Sequence, residues 1–312
     1  MQLTAYRTVF AGIAVSTLLC AAGAQAQESA VAKAREAVVA LLPAWPKGQA
    51  NLEEPEGSAV AVGDGTWLVT ADHVLGPAAA AMIRRADGSV HPVEIVSRDR
   101  QTDLAILKTG AALPALEFAA EDPDVAERVC AIGNAFGLGI SVSCGVVSAV
   151  GRGGVGFNPV EDFIQTDASV NPGASGGALV DERGRLVGVL SAIFTKSSDG
   201  DLGVNFAASA PLVEAVLNSV ATSGRMEHVT LGVALELTKL GPEPAGLLVR
   251  RLEEQGPAAR AGLLEGDVIL GVDDFPVSSV AGLRGRLARA GPQPEISVRR
   301  NGKTEVLTIK TK

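Results

Sequence analysis

The chain has 312 residues, 47% of them apolar, and a formal net charge of −8; this length can bury two or three separate cores. Residues 27–224 hold 13 basic and 24 acidic side chains, and residues 225–312 hold 13 and 11. Neither part has the basic excess of a nucleic-acid-binding face, so no nucleic-acid partner is expected.

Residues 1–26 carry one charge, Arg7, then an apolar run from Val9 to Leu19, and end in Ala24-Gln25-Ala26. This is the pattern of a secretory signal peptide cut after Ala26. The alternative is an uncleaved membrane anchor, for which the run is short. The bulky residue before Cys20 argues against a lipoprotein cleavage site. Export places the mature chain in an oxidising compartment. Its two remaining cysteines, Cys130 and Cys144, flank Gly133–Gly139 almost symmetrically. A hairpin centred near Gly137 would set them opposite each other, and they either bridge or stay as two buried thiols.

Ser29–Leu42 reads as a helix or as a helix running into a strand, and Pro43–Pro55 as loop. Ala59–Val62 and Thr66–Thr70 are short strands around Gly63-Asp64-Gly65, a hairpin signal. Ala80–Arg84 and Val90–Val96 repeat the pattern around Asp87-Gly88, and Leu104–Lys108 is a further strand. After a connection over Leu113–Asp124 comes a second set: Arg128–Ile132, Ser141–Val150, Phe163–Thr166, Gly177–Val180, Leu186–Ser191 and Val204–Ala207. Two sets of about six short strands predict a mainly β fold with two antiparallel barrels. Gly151-Arg152-Gly153-Gly154-Val155-Gly156 matches G-x-G-x-x-G, but no helix follows and there is no βαβ unit. It reads as a mobile surface loop, not a dinucleotide site.

Ser209-Ala210-Pro211 opens a helix through Val220, with a serine cap and an early proline. Thr222-Ser223-Gly224 looks like a linker. Beyond it, strands Thr230–Leu235 and Gly246–Arg250 precede a short helix at Pro257–Ala261. Strand Asp267–Val272, helix Val277–Ala290 and the hairpin Glu295–Arg300/Thr304–Ile309 about Asn301-Gly302 complete a small α+β domain. The expected division is 1–26 signal peptide, 27–224 first domain and 225–312 second domain.

Asn171-Pro172-Gly173-Ala174-Ser175-Gly176-Gly177 places one hydroxyl among three glycines and a proline. Such a turn exposes a serine oxygen while neighbouring N–H groups converge, as an acyl-transfer nucleophile and its oxyanion hole require. A plain glycine-rich turn is the alternative reading. A nucleophile elbow of the α/β-hydrolase kind would be followed by a helix, then by acid and histidine. Here a turn and another strand follow, and His73 and Asp103 both precede the serine. The order His, Asp, Ser is that of two-barrel serine proteases. Only three histidines compete for the role of base, and a base must be neutral to accept the serine proton. Asp103 opens an apolar strand and is placed to orient the imidazole. Asp72 and Asp99 read as solvated turn residues. His73 and Asp103 fall in the first strand set and Ser175 in the second, so a site would lie between the barrels.

Thr70-Ala71-Asp72-His73-Val74, Thr102-Asp103-Leu104-Ala105-Ile106-Leu107-Lys108 and Ile164-Gln165-Thr166-Asp167-Ala168 through Gly177 together resemble the motifs of the HtrA (Deg) family of trypsin-like serine proteases. Ala131–Leu138 is also similar to a family segment. The resemblance implies His73 as base, Asp103 as its orienter and Ser175 as nucleophile, with the backbone N–H groups of Gly173 and Ser175 as oxyanion hole. It also implies that residues 225–312 are a PDZ domain, which adds a C-terminal peptide as a strand. Leu231, Gly232 and Val233 would take the carboxylate, and Val280, Leu283 and Leu287 would line the groove or fill the domain core.

The resemblance further implies an ATP-independent periplasmic endopeptidase acting on unfolded or misfolded proteins in quality control and stress, and a homotrimer. No cofactor or metal is called for. Ala174 and Ala178 stand where the family commonly has asparagine and proline. Val204, Asn205 and Phe206 replace the usual specificity-pocket wall, and a small apolar pocket favouring Val, Ala or Ile is expected there. Ala30–Glu56 departs from the family. A chaperone or peptide-sensing scaffold with a resting protease site is the competing function. The loops at Gly151–Gly156 and Lys196–Gly203 are the expected switching elements.

Overall fold

The computed structural model describes residues 30–48, 56–193, 203–238 and 246–311. The expected signal peptide and, apart from Gly203, the Lys196–Gly203 loop lie outside the described residues. The first six strands close a barrel in the order β1-β2-β3-β6-β5-β4. They are β1 (Val38–Pro43), β2 (Gly57–Val62), β3 (Trp67–Ala71), β4 (Ala81–Arg84), β5 (Val90–Asp99) and β6 (Leu104–Thr109). The segment expected to be helical or to turn into strand is helical through residue 37 and then supplies β1, which closes the barrel against β2 and β4.

The two-residue period of a strand sorts its side chains between two cores. In β6, Ala105 and Leu107 fill the barrel, while Leu104 and Ile106 face the neighbouring barrel. In β3, Leu68 points inward and Val69 outward in the same way. Both faces are apolar because both are buried, and each such aliphatic side chain contributes about 1.5–3 kcal/mol.

The second barrel closes as β10-β11-β12-β9-β8-β7. Its strands are β7 (Arg128–Gly133), β8 (Ser141–Arg152), β9 (Phe163–Thr166), β10 (Ala178–Asp181), β11 (Leu186–Ile193) and β12 (Asn205–Ser209). Leu179 and Leu190 fill it, whereas Ala178, Val180 and Val189 join the core between the barrels. Cys130 and Cys144 pair directly across β7 and β8 and are bridged.

Helix α2 (Ala210–Ser223) follows a one-turn helix α1 (Asp72–Leu75) met earlier in the chain. Ser209 caps α2 by accepting the Leu212 N–H, and Leu212, Val213, Val216, Leu217 and Val220 bury its apolar face in the inter-barrel core.

The C-terminal unit is a sheet in the order β13-β14-β15-β17-β18, with a short β16 paired to β15. These are β13 (Val233–Thr238), β14 (Gly246–Leu252), β15 (Val268–Val272), β16 (Phe275–Pro276), β17 (Glu295–Arg300) and β18 (Lys303–Thr308), with helices α3 (Pro257–Arg260) and α4 (Val280–Arg289). Its own core is built on Leu247, Ile269, Leu283, Leu287 and Ile296.

This unit docks on the two barrels through the back of α4. Gly285 lets the backbone of residue 161 approach so closely that a side-chain carbon there would overlap it, and a side-chain carbon at Gly153 would likewise overlap the backbone of Gly282. The Glu161 N–H donates to the Ala281 carbonyl at 3.1 Å. Beside them Arg286 and Arg289 meet Asp122 and Asp162 at 2.8–3.4 Å, all with side chains largely withdrawn from solvent. Burial works against the charge on Arg289, but the two carboxylates outweigh it and hold its pKa above the ordinary value.

The docking overturns the mobile-loop expectation for Gly151–Gly156. Gly151 and Arg152 end β8, and the residues after them are gathered by the buried Glu161 carboxylate. That carboxylate accepts the amides of Val155, Gly156, Phe157 and Asn158 at 2.7–3.1 Å. Four charge-assisted bonds pin a loop that composition alone marks as loose.

Candidate active site

His73 is the second residue of α1, the turn that β3 runs into. Asp103 ends the tight turn between β5 and β6, where its φ of 57° takes a left-handed conformation uncommon outside glycine. That geometry lets it bond α1 at three points. Its Oδ2 lies 2.6 Å from His73 Nδ1, its Oδ1 accepts the His73 N–H at 2.9 Å, and its carbonyl accepts the Asp72 N–H at 2.9 Å. The Nδ1 contact leaves Nε2 as the imidazole's outward nitrogen. From the second barrel, Ser191 Oγ donates to the same Asp103 Oδ2 at 3.0 Å. The carboxylate is therefore held from both barrels.

Asp72 and Asp99 correct the expectation of solvated turn residues: they are only 5% and 8% exposed. Buried carboxylates persist where they are paired. Arg98 bonds the Asp72 carboxylate, the Asp72 carbonyl at 3.1 Å and the Gly76 carbonyl at 2.8 Å, so it grips α1 at both ends. Asp99 accepts from Thr102 Oγ1 at 2.6 Å and contacts His228 Nε2 at 2.9 Å, which ties the start of the C-terminal unit to the Asp103 turn.

Ser175 is buried on the turn before β10. The turn Asn171–Ala174 is closed by the Ala174 N–H on the Asn171 carbonyl at 2.9 Å, with Gly173 at φ 92° in its third position. This is the type II pattern, which needs glycine there. Gly176 is wedged against Ser58, Thr70 and Ala71, where any side chain would overlap them. That close approach sets the serine turn directly against the strand end leading into His73.

The other expected residues divide. Leu231, Gly232, Val233, Val280, Leu283 and Leu287 line one cleft of about 490 Å³ between the β13 side and α4; Leu283 and Leu287 also belong to the domain core. Asn205 and Phe206 are spent internally: Asn205 Nδ2 donates to the Ala168 carbonyl at 2.9 Å, and Phe206 stacks edge-on or tilted with Phe157 and Phe163. Val204 is half-buried beside them. Sequence reasoning missed Ser58, Arg98 and Ser191, whose partners are 22 to 115 residues away. Among the described residues no group of three or more His, Cys, Asp or Glu side chains could hold a metal.

Two closed six-stranded barrels facing each other across a histidine–aspartate pair and a serine turn, followed by a peptide-groove domain, define a trypsin-like peptidase joined to a PDZ domain. The family models agree: the trypsin-like peptidase domain matches residues 57–189 and the PDZ domain residues 200–311. The chain is 37% identical to the solved structure of the HtrA-type protease AlgW with tripeptide, with a TM-score of 0.71, covering 91% of this chain and 96% of that one. It is 36% identical over 273 residues to the probable periplasmic serine endoprotease DegP-like of Pseudomonas fluorescens, and 34% over 283 residues to that of Brucella suis. Those matches cover 84% of this chain but only 57% and 55% of the two relatives. The chain belongs to the HtrA-type serine proteases. Among the described residues no helix is long and apolar enough to cross a membrane.

Proposed function

We propose that the chain is a serine endopeptidase in which Ser175 is the nucleophile, His73 the general base and Asp103 its orienter. The observation that carries this is the doubly bonded Asp103 carboxylate, gripping His73 at 2.6 Å from one barrel and Ser191 at 3.0 Å from the other. The carboxylate fixes the tautomer with the proton on Nδ1, so Nε2 can take the proton of Ser175 Oγ as that oxygen attacks the scissile carbonyl. The imidazolium then protonates the leaving amine, and water repeats the cycle on the acyl-enzyme. The N–H groups of Gly173 and Ser175 stabilise the developing oxyanion.

The protease domain is read as residues 27–224 and the PDZ domain as residues 225–312. The cleft beside α4 takes C-terminal peptides, a reading supported by the peptide-bound HtrA-type neighbour. The substrates are unfolded proteins, cleaved without ATP, and the setting is the periplasm, reached by the residues 1–26 signal; the DegP-like relatives are named periplasmic. A homotrimer is the expected assembly. The cut follows a small apolar residue.

A fluorophosphonate probe tests the assignment. Labelling at Ser175, lost in Ser175→Ala together with a fall in turnover of several orders of magnitude, supports it. Casein cleavage retained by Ser175→Ala would refute it. No labelling with any added C-terminal peptide would favour a chaperone or peptide-sensing scaffold.

A further inference from the structure

Ser58 belongs to β2 of the first barrel and is fully buried, yet it is spent on the serine turn of the second. Its hydroxyl donates to the Gly173 carbonyl at 2.7 Å and accepts the Asn134 N–H at 2.8 Å. Its amide donates to the Ser175 carbonyl at 2.9 Å. Its own carbonyl accepts the Thr70 hydroxyl at 2.7 Å, on the strand that leads to His73.

Every carbonyl from Asn171 to Ser175 is thereby bonded within the protein. Asn171 takes the Ala174 N–H, Pro172 the Phe136 N–H at 2.7 Å, and Ala174 the Gly177 N–H at 2.9 Å; Gly173 and Ser175 take Ser58. Across a trans peptide the C=O and N–H point opposite ways. The Pro172 carbonyl therefore aims the Gly173 N–H, and the Ala174 carbonyl aims the Ser175 N–H. The Gly173–Ala174 peptide joins these two donors, and its carbonyl alone among the five is held by a side chain. Glycine at φ 92° can leave this geometry cheaply, so the local sequence does not hold the joint. Asn134, the other partner of the hydroxyl, is itself braced: its Nδ2 donates to Glu56 at 2.9 Å, and Glu56 is paired through both oxygens with Arg84.

We propose that Ser58 is a positioning residue for acyl transfer, its hydroxyl holding the oxyanion turn in the competent shape before substrate arrives. This rests on the reading of Ser175 as nucleophile. The N–H donors survive in Ser58→Ala, so the loss should stay below the 10²–10³ in kcat that deleting a donor costs.

The test uses the full chain. In Ser58→Ala, kcat should fall by about tenfold to a hundredfold with KM nearly unchanged, and affinity for a peptidyl boronate should fall by the same factor as kcat/KM, because both need the aligned N–H pair. Active-site titration separates this from a smaller folded fraction. If Ser58→Ala does not fold, Ser58→Cys, close in size but a weaker donor, is measured in the same way. Unchanged kcat and boronate affinity, or a loss matching the missing active sites, overturns the proposal. A crystal structure of the variant decides it even if the unmutated chain proves inactive, which would count against the protease reading and not against Ser58. A shifted 172–175 turn supports the role, and a turn superposing on the parent overturns it.

Discussion

Removing the Asp162 carboxylate should loosen the PDZ domain from the protease. The Asp162 side chain is 1% exposed and receives Arg286 at 3.3 Å, Arg289 at 2.8 Å and Ser209 Oγ at 2.5 Å. In Asp162→Ala two buried guanidinium groups must share Asp122, leaving one positive charge uncompensated. Breaking one member of a buried ion pair costs about 3–5 kcal/mol, and because Asp122 remains the lower figure, about 3 kcal/mol, is expected. At roughly 4–8 °C per kcal/mol for a domain of about 60–100 residues, the transition of the C-terminal domain moves down by about 12–24 °C. Differential scanning calorimetry of the full chain, paired with limited proteolysis across residues 224–230, reads both parts of the effect. An earlier melting component and faster linker cleavage are expected. Asp162→Asn, which keeps the shape and removes the charge, should behave alike. A melting profile and linker protection matching the parent in both variants would refute the claim that these charges hold the docking.

Replacing Cys130 and Cys144 together by serine opens a loop with a sequence separation of 14. By the chain-entropy relation this costs about 3 kcal/mol, read as a lower urea midpoint; an unshifted midpoint contradicts it. Burial raises the Asp99 carboxyl, but its bonds to His228 and Thr102 prevail and hold it below its ordinary 3.8. A depressed carboxyl contributes stability above its unfolded pKa that is lost as pH falls through the folded one. Asp99→Asn should therefore flatten the acid limb of the melting-temperature curve below that value, and parallel limbs would count against the clamp. Gly285→Ala inverts a general rule. In a free helix alanine is better by about 1 kcal/mol, but here its methyl would strike the Glu161 carbonyl, so the variant should melt lower; a stabilised variant would show that the helix does not sit this close.

The barrels were legible because their strands are short and apolar and are separated by turns such as Gly63-Asp64-Gly65. The His73, Asp103, Ser175 order was legible because each motif is local. What stayed hidden has distant partners. Arg286 and Arg289, three residues apart near the end of a helix, look like solvated charges until Asp122 and Asp162 arrive from more than 120 residues away. The Gly151–Gly156 loop looked free because the residue that gathers it, Glu161, reads as one more acid in an acidic domain. Ser58 and Ser191 carry no signature at all: a serine beside or at the end of an apolar strand is ordinary until the other barrel folds against it. Between the two readings of Ser29–Leu42, all helix or helix running into strand, the choice is made by pairing with β2 and β4, which no local pattern reveals.

Helix α4 has no spare side. Val280, Leu283 and Leu287 are turned to the groove, while Gly282, Gly285, Arg286 and Arg289 are committed to the barrels. Anyone transplanting the recognition helix of another PDZ module into this chain would import a new taste for peptides and discard the seat beneath it. Retuning ligand choice must be confined to positions 280, 283, 284 and 287, with the glycines and arginines on the reverse left as they stand.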